Sequence, residues 1–179
     1  MILRRIQQAN ERYNVLVNNL LDELSCYDDA ILNRKPQNGG WSALQIAHHL
    51  LLSEEISMTY VQKKLSFAKE GKAEFKPIGF KSKWRYFRLW LVFSLPFRFK
   101  APATLDTEKM PDYTSLAHTR ERWMNIRTQW NNFLNHLPES LADKAVFRHQ
   151  LVGKMSWVDM CDFYSLHLRR HWKQIRRTV

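Results

Sequence analysis

Glycine and proline are scarce, with five Gly and six Pro in 179 residues. That leaves room for long uninterrupted helices and argues against a turn-rich sheet protein. Cysteine is scarcer still: Cys26 and Cys161 allow a disulfide without requiring one, and no C-x-x-C or thiolate zinc spacing occurs. Long apolar runs are missing too. The most tempting stretch, residues 89–97, is too short to cross a bilayer as a helix. The start, Met1-Ile2-Leu3-Arg4-Arg5-Ile6, lacks the apolar core and processing site of a signal peptide, so a cytoplasmic location is expected. Acidic residues are outnumbered, 17 against 28 Lys and Arg, for a formal charge of +11.

What the chain does have is aromatic side chains: ten Phe, seven Trp and six Tyr. They predict an aromatic-rich core or pocket within one domain spanning residues 1–179. The charge is patchy. Residues 72–100 hold eight Lys or Arg against Glu74 alone, and Arg169, Arg170, Lys173, Arg176 and Arg177 cluster near the end. Such a surface could attract nucleic acid, anionic lipid or an acidic substrate. No helix-turn-helix, zinc-finger or single-strand motif points to nucleic acid.

Leu3, Ile6, Tyr13, Leu16, Val17, Leu20 and Leu24 recur at helical spacing and predict a first helix within 2–30. Residues 33–40 read as a loop. Ser42 and Gln45 then form a capping box, so a second helix starts near Ser42 and carries His49 on one face with Gln45, Leu52, Ile56 and Tyr60. His48 is rotated about 100° away and cannot share that face. A third helix is expected over 113–137, with Trp123, Ile126, Trp130, Phe133, Leu134 and Leu137 as its stripe and Pro138 as its stop. Residues 147–155 read as a connection, and Ser156 with Asp159 opens the last helix. The expected fold class is therefore all-α, a four-helix bundle. Residues 71–112, a basic aromatic-rich insertion between helices two and three, are too long for a simple bundle loop. Trp84, Tyr86, Phe87, Trp90 and Phe93 alternate there with Lys81, Lys83, Arg85 and Arg88. They read as a cover packed on the core, with a membrane-surface or partner contact as alternatives.

His167 and His171 stand one turn apart on the last helix. A lone H-x-x-x-H is equally explained by packing, or by charge placement at a negative helix end. There is no H-E-x-x-H pattern, which removes the usual zinc-protease reading. Adding His49 makes a three-imidazole set that leaves a coordination position open, as catalytic metal sites require. Zn²⁺ or Ni²⁺ suits such donors, and Fe²⁺ and Co²⁺ are compatible. Glu54, Glu55, Asp159, Asp162 and His149 are the candidate proton carriers.

Gly40-Trp41-Ser42, His49-Leu50, Gly153-Lys154-Met155-Ser156-Trp157, and the run from His167 through His171 and Gln174 to Ile175 together resemble the DinB/YfiT-like family over essentially the whole chain. The resemblance implies an up-down-down-up four-helix bundle with a divalent metal held by His49, His167 and His171. It implies a metal-dependent enzyme acting on a small molecule. The leading expectation is thiol S-transferase-like chemistry, in which a low-molecular-weight thiol such as bacillithiol or mycothiol attacks a small electrophile. A hydrolase using metal-bound water is the alternative, and a non-enzymatic metal-binding or nucleic-acid-binding protein a further one. Related bundles are dimers in many cases, so a homodimer is one option, and the sequence leaves the oligomeric state open. Gln174 fits the pattern as a packing or hydrogen-bonding residue rather than a ligand. The long 71–112 segment departs from the shortest members, so no substrate is carried over.

Overall fold

The computed structural model describes residues 1–37, 39–72, 74–79, 84, 87, 90, 91, 110–149 and 153–179. Among these residues four long helices dominate: α1 (Ile2–Leu24), α3 (Ala43–Lys69), α4 (Leu116–Asn135) and α6 (Trp157–Ile175). Two short ones, α2 (Asp29–Leu32) and α5 (Glu139–Ala142), sit in the connections. The first helix runs to Leu24, within the expected 2–30 and ending where the apolar stripe does. Asp28 then adopts an extended backbone and opens α2. Residues 147–155 hold a small antiparallel hairpin, β1 (Phe147–His149) and β2 (Gly153–Met155), with Phe147 opposite Met155. Three residues per strand are too few to leave a legible alternation.

Contacts between the helices fix their directions. Arg12 pairs with Asp162 and Glu23 with Arg176, so α1 and α6 run parallel. Asn10 bonds Asn131 while Asp22 bonds Arg120, so α1 and α4 run antiparallel. His48 and His118 line one groove, and Gln62 and Gln129 line another farther along, so α3 runs parallel to α4. His49, near the start of α3, meets His167 and His171 late in α6, an antiparallel pairing. The bundle is therefore up-down-down-up, as the family resemblance implied. This topology also gives a physical reason for the long 70–115 connection. Parallel neighbours oblige the chain to return along a helix of roughly 40 Å before α4 can begin. Its landmarks agree. Ile78 N–H donates to Asp143 O at one end of the bundle, and Gln45 Nε2 donates to Pro111 O at the other.

Gly71 lets α3 stop. Its positive φ of 72° permits the Lys72 N–H to reach back to Phe67 O, capping the helix end. The core is aromatic as expected: Trp123, Trp130 and Trp157 are fully buried, and Trp157 Nε1 donates to Leu141 O at 2.9 Å. Truncating any of the three to Ala would cost about 3–5 kcal/mol. One polar knot crosses this core. Buried Glu54 accepts from Tyr13 Oη at 2.6 Å, Trp123 Nε1 at 2.7 Å and Arg127 at 2.8 Å. Arg127 also donates to Asn14 and to Asn10, which ties α1, α3 and α4 together.

Within the 71–112 segment, Phe75 packs against the core and Met110 is buried, whereas Trp84, Phe87, Trp90 and Leu91 are all exposed. These four do not join the core or the half-buried residues packed against it. That departs from the expectation of a packed cover at these positions. Lys81, Lys83, Arg85, Tyr86, Arg88 and Phe93 lie outside the described residues.

Candidate metal centre

Both capping boxes form, and both serve the site. Ser42 Oγ accepts from Gln45 N–H while the Gln45 side chain accepts from Ser42 N–H, so α3 begins at Ala43 and carries His49 into the bundle. Ser156 and Asp159 do the same for α6. His167 and His171 then lie on the side of α6 that faces α3. His49 and His167 are 5% and 8% exposed, and His171 is half-buried.

The three rings converge. His49 and His167 present Nε2 atoms to each other at 3.3 Å, and the ligating nitrogens of all three residues lie within 4.8 Å of one another. Two ligands on a tetrahedral ion with bonds of ~2.0–2.1 Å stand about 3.3–3.4 Å apart, so this pair already has the spacing of neighbouring metal donors. His171 Nδ1 lies 3.0 Å from Gln174 Oε1, an acceptor. That bond places the ring proton on Nδ1 and leaves the Nε2 lone pair available. Gln174 therefore hydrogen-bonds, as its chemistry suggested. Burial pushes His49 down to about 4, helped by the nearby His171 and His48. Burial also pushes His171 down to about 4, against the Gln174 bond. Both are thus neutral near pH 7, the protonation state in which imidazole binds metal. The cluster is capable of coordinating a divalent ion.

Two aromatic side chains flank the imidazoles, a placement the sequence did not specify. Phe163, one turn before His167, stacks on its ring at 5.4 Å with only 17° between planes. Trp41, just ahead of the Ser42 cap, stands 5.0 Å from His49. The i,i+4 spacing of Phe163 to His167 was a usable signal. Trp41 was marked in the sequence as part of Gly40-Trp41-Ser42, but eight positions from His49 nothing local showed that it would stand against that ring.

The four acidic candidates are engaged away from the triad. Glu54 is held by Tyr13, Trp123 and Arg127, and Glu55 forms a two-bond pair with Arg122. Asp159 caps α6, and Asp162 faces Arg12. His149 falls in β1, with its side chain outside the description. His48 points away from the triad, as its rotation required. It lines a groove of about 620 Å³ with Tyr113, His118 and Arg122, and none of the three clustered histidines lines that groove.

A family model described as the DinB superfamily matches residues 6–175, nearly the full chain and all three clustered histidines. The chain belongs to the DinB superfamily. No curated protein and no solved structure matches it. DinB membership and the three-histidine cluster together are compatible with a metal-dependent enzyme. Among the described residues, no helix is long and apolar enough to cross a membrane.

Proposed function

We propose that His49, His167 and His171 are the protein ligands of one divalent ion, Zn²⁺ or Ni²⁺, in a transferase that presents a low-molecular-weight thiol to a small electrophile. The observation that carries the reading is the convergence of three imidazole donors without a carboxylate among them. When bound, the ion supplies Lewis acidity that lowers the pKa of a coordinated thiol or water. Gln174 aims His171, while Phe163 and Trp41 wall the other two imidazoles and limit the solvent around them. Arg169, Arg170 and Lys173 on the same helix suit a cosubstrate bearing carboxylates.

The engagement of Glu54, Glu55, Asp159 and Asp162 elsewhere favours thiol over water as the nucleophile. A thiol, with a pKa near ~8.5, needs far less help from a general base than water does. Metal analysis of protein purified without a histidine tag, beside His49→Ala and His167→Ala, tests the ligand set. Equal metal content in all three proteins would defeat it. Turnover of an electrophile panel with and without several thiols tests the chemistry, and thiol-independent turnover would replace transfer by hydrolysis.

A further inference from the structure

Trp84, Phe87, Trp90 and Leu91 are helical and follow one another at intervals of three, three and one residues. At about 100° per residue they occupy one helical face roughly 120° wide. Their rings make a continuous strip, with Trp84 edge-on to Phe87 at 6.0 Å and Phe87 stacked with Trp90 at 6.1 Å. Exposure runs from 66% at Trp84 to 42% at Leu91. Among the described residues, the other exposed large apolar side chains are scattered apart from the terminal Met1 and Ile2, whereas these four adjoin one another. Such a contiguous strip marks a contact surface.

The composition of the sequence that carries the strip points to the partner. Residues 72–100 carry Lys72, Lys76, Lys81, Lys83, Arg85, Arg88, Arg98 and Lys100 against Glu74 alone. A tryptophan-rich apolar face within a strongly cationic segment has the composition of a helix that lies in a lipid interface, and indole rings favour the headgroup level. Too few apolar residues are present for the segment to cross a bilayer. We infer that the Trp84–Phe87–Trp90–Leu91 face docks this protein on an anionic lipid surface, lying in the headgroup layer. Self-association and base stacking on single-stranded nucleic acid need the same apolar face. Only the lipid surface uses both Leu91, which has no ring to stack, and the surplus of positive charge.

Co-sedimentation of the full chain with vesicles tests this. With phosphatidylcholine–phosphatidylserine vesicles at low salt the protein should pellet. With phosphatidylcholine alone, or at high salt, binding should weaken by about tenfold or more, because each basic residue near the surface contributes through a screened field. A Trp84→Ser/Phe87→Ser/Trp90→Ser variant should lose the binding while keeping its helical circular dichroism and metal content. Wild-type protein that stays in solution with the mixed vesicles would overturn the inference. So would a triple variant that pellets as well as wild type. Light scattering showing that the triple substitution dissolves a dimer, or loss of single-stranded oligonucleotide binding with vesicle binding unchanged, would reassign the face to those partners.

Discussion

Glu54→Ala should be among the most damaging single substitutions in the bundle. Glu54 is fully buried, and its Arg127 partner is 4% exposed. Removing the carboxylate strands a guanidinium, the Tyr13 hydroxyl and the Trp123 indole N–H in a dry core. Burial already works against the Arg127 charge, and Glu54 is the main opposing influence that keeps its pKa raised. Breaking one side of a buried pair costs about 3–5 kcal/mol. For a chain of this size that corresponds to roughly 6–20 °C in melting temperature. Glu54→Gln keeps the volume and one acceptor oxygen, and should lose about 1.5–3 kcal/mol. Glu54→Met combined with Arg127→Met should be less harmful than the two single changes summed, by about 0.5–3 kcal/mol, because neither charge is left alone. Thermal and urea denaturation followed by circular dichroism, with chelator present so that metal does not contribute, measures each variant. A Glu54→Ala protein melting within about 2–4 °C of wild type would refute the reasoning, since one kcal/mol is the least an orphaned buried group should cost.

Gln174→Ala should weaken metal binding by about 10–100-fold with little change in melting temperature, since Gln174 orients His171 and packs little else; titration with Zn²⁺ against a competing chelator measures it, and unchanged affinity would remove Gln174 from the site. Ser42→Ala removes the acceptor that caps α3 ahead of His49 and should cost about 1 kcal/mol, read by urea denaturation. Cys161 is buried, which pushes its thiol up to about 12, whereas Cys26 is exposed. Native protein at pH 8 should therefore give one fast-reacting thiol with an aromatic disulfide reagent, and the second only after unfolding. Equal rates for both would contradict the packing around Cys161.

Much of the fold was legible because its signals are local. Each capping box lies within four consecutive residues, Ser42–Gln45 and Ser156–Asp159, and each marks a helix start at the observed place. The apolar stripes of α1 and α4 repeat often enough to be read without a partner. The hairpin at 147–155 was not legible, because three residues per strand hold no period. The exposed strip at Trp84, Phe87 and Trp90 was read as a cover, since an aromatic helical stripe looks the same in sequence whether it packs inward or faces out.

The sequence by itself determined the helices, the one-turn spacing of His167 and His171, and the rotation that separates His49 from His48. These follow from backbone geometry within one helix. Only the tertiary structure decided whether His49 and His167, 118 positions apart, would meet at 3.3 Å. Only it showed that the four candidate acids are spent on Arg127, Arg122, Arg12 and a helix cap. The reason is that a ligand set joins two helices whose relative register depends on every side chain packed between them. A carboxylate's role depends on which cation or donor the fold brings to it, and no local pattern encodes either.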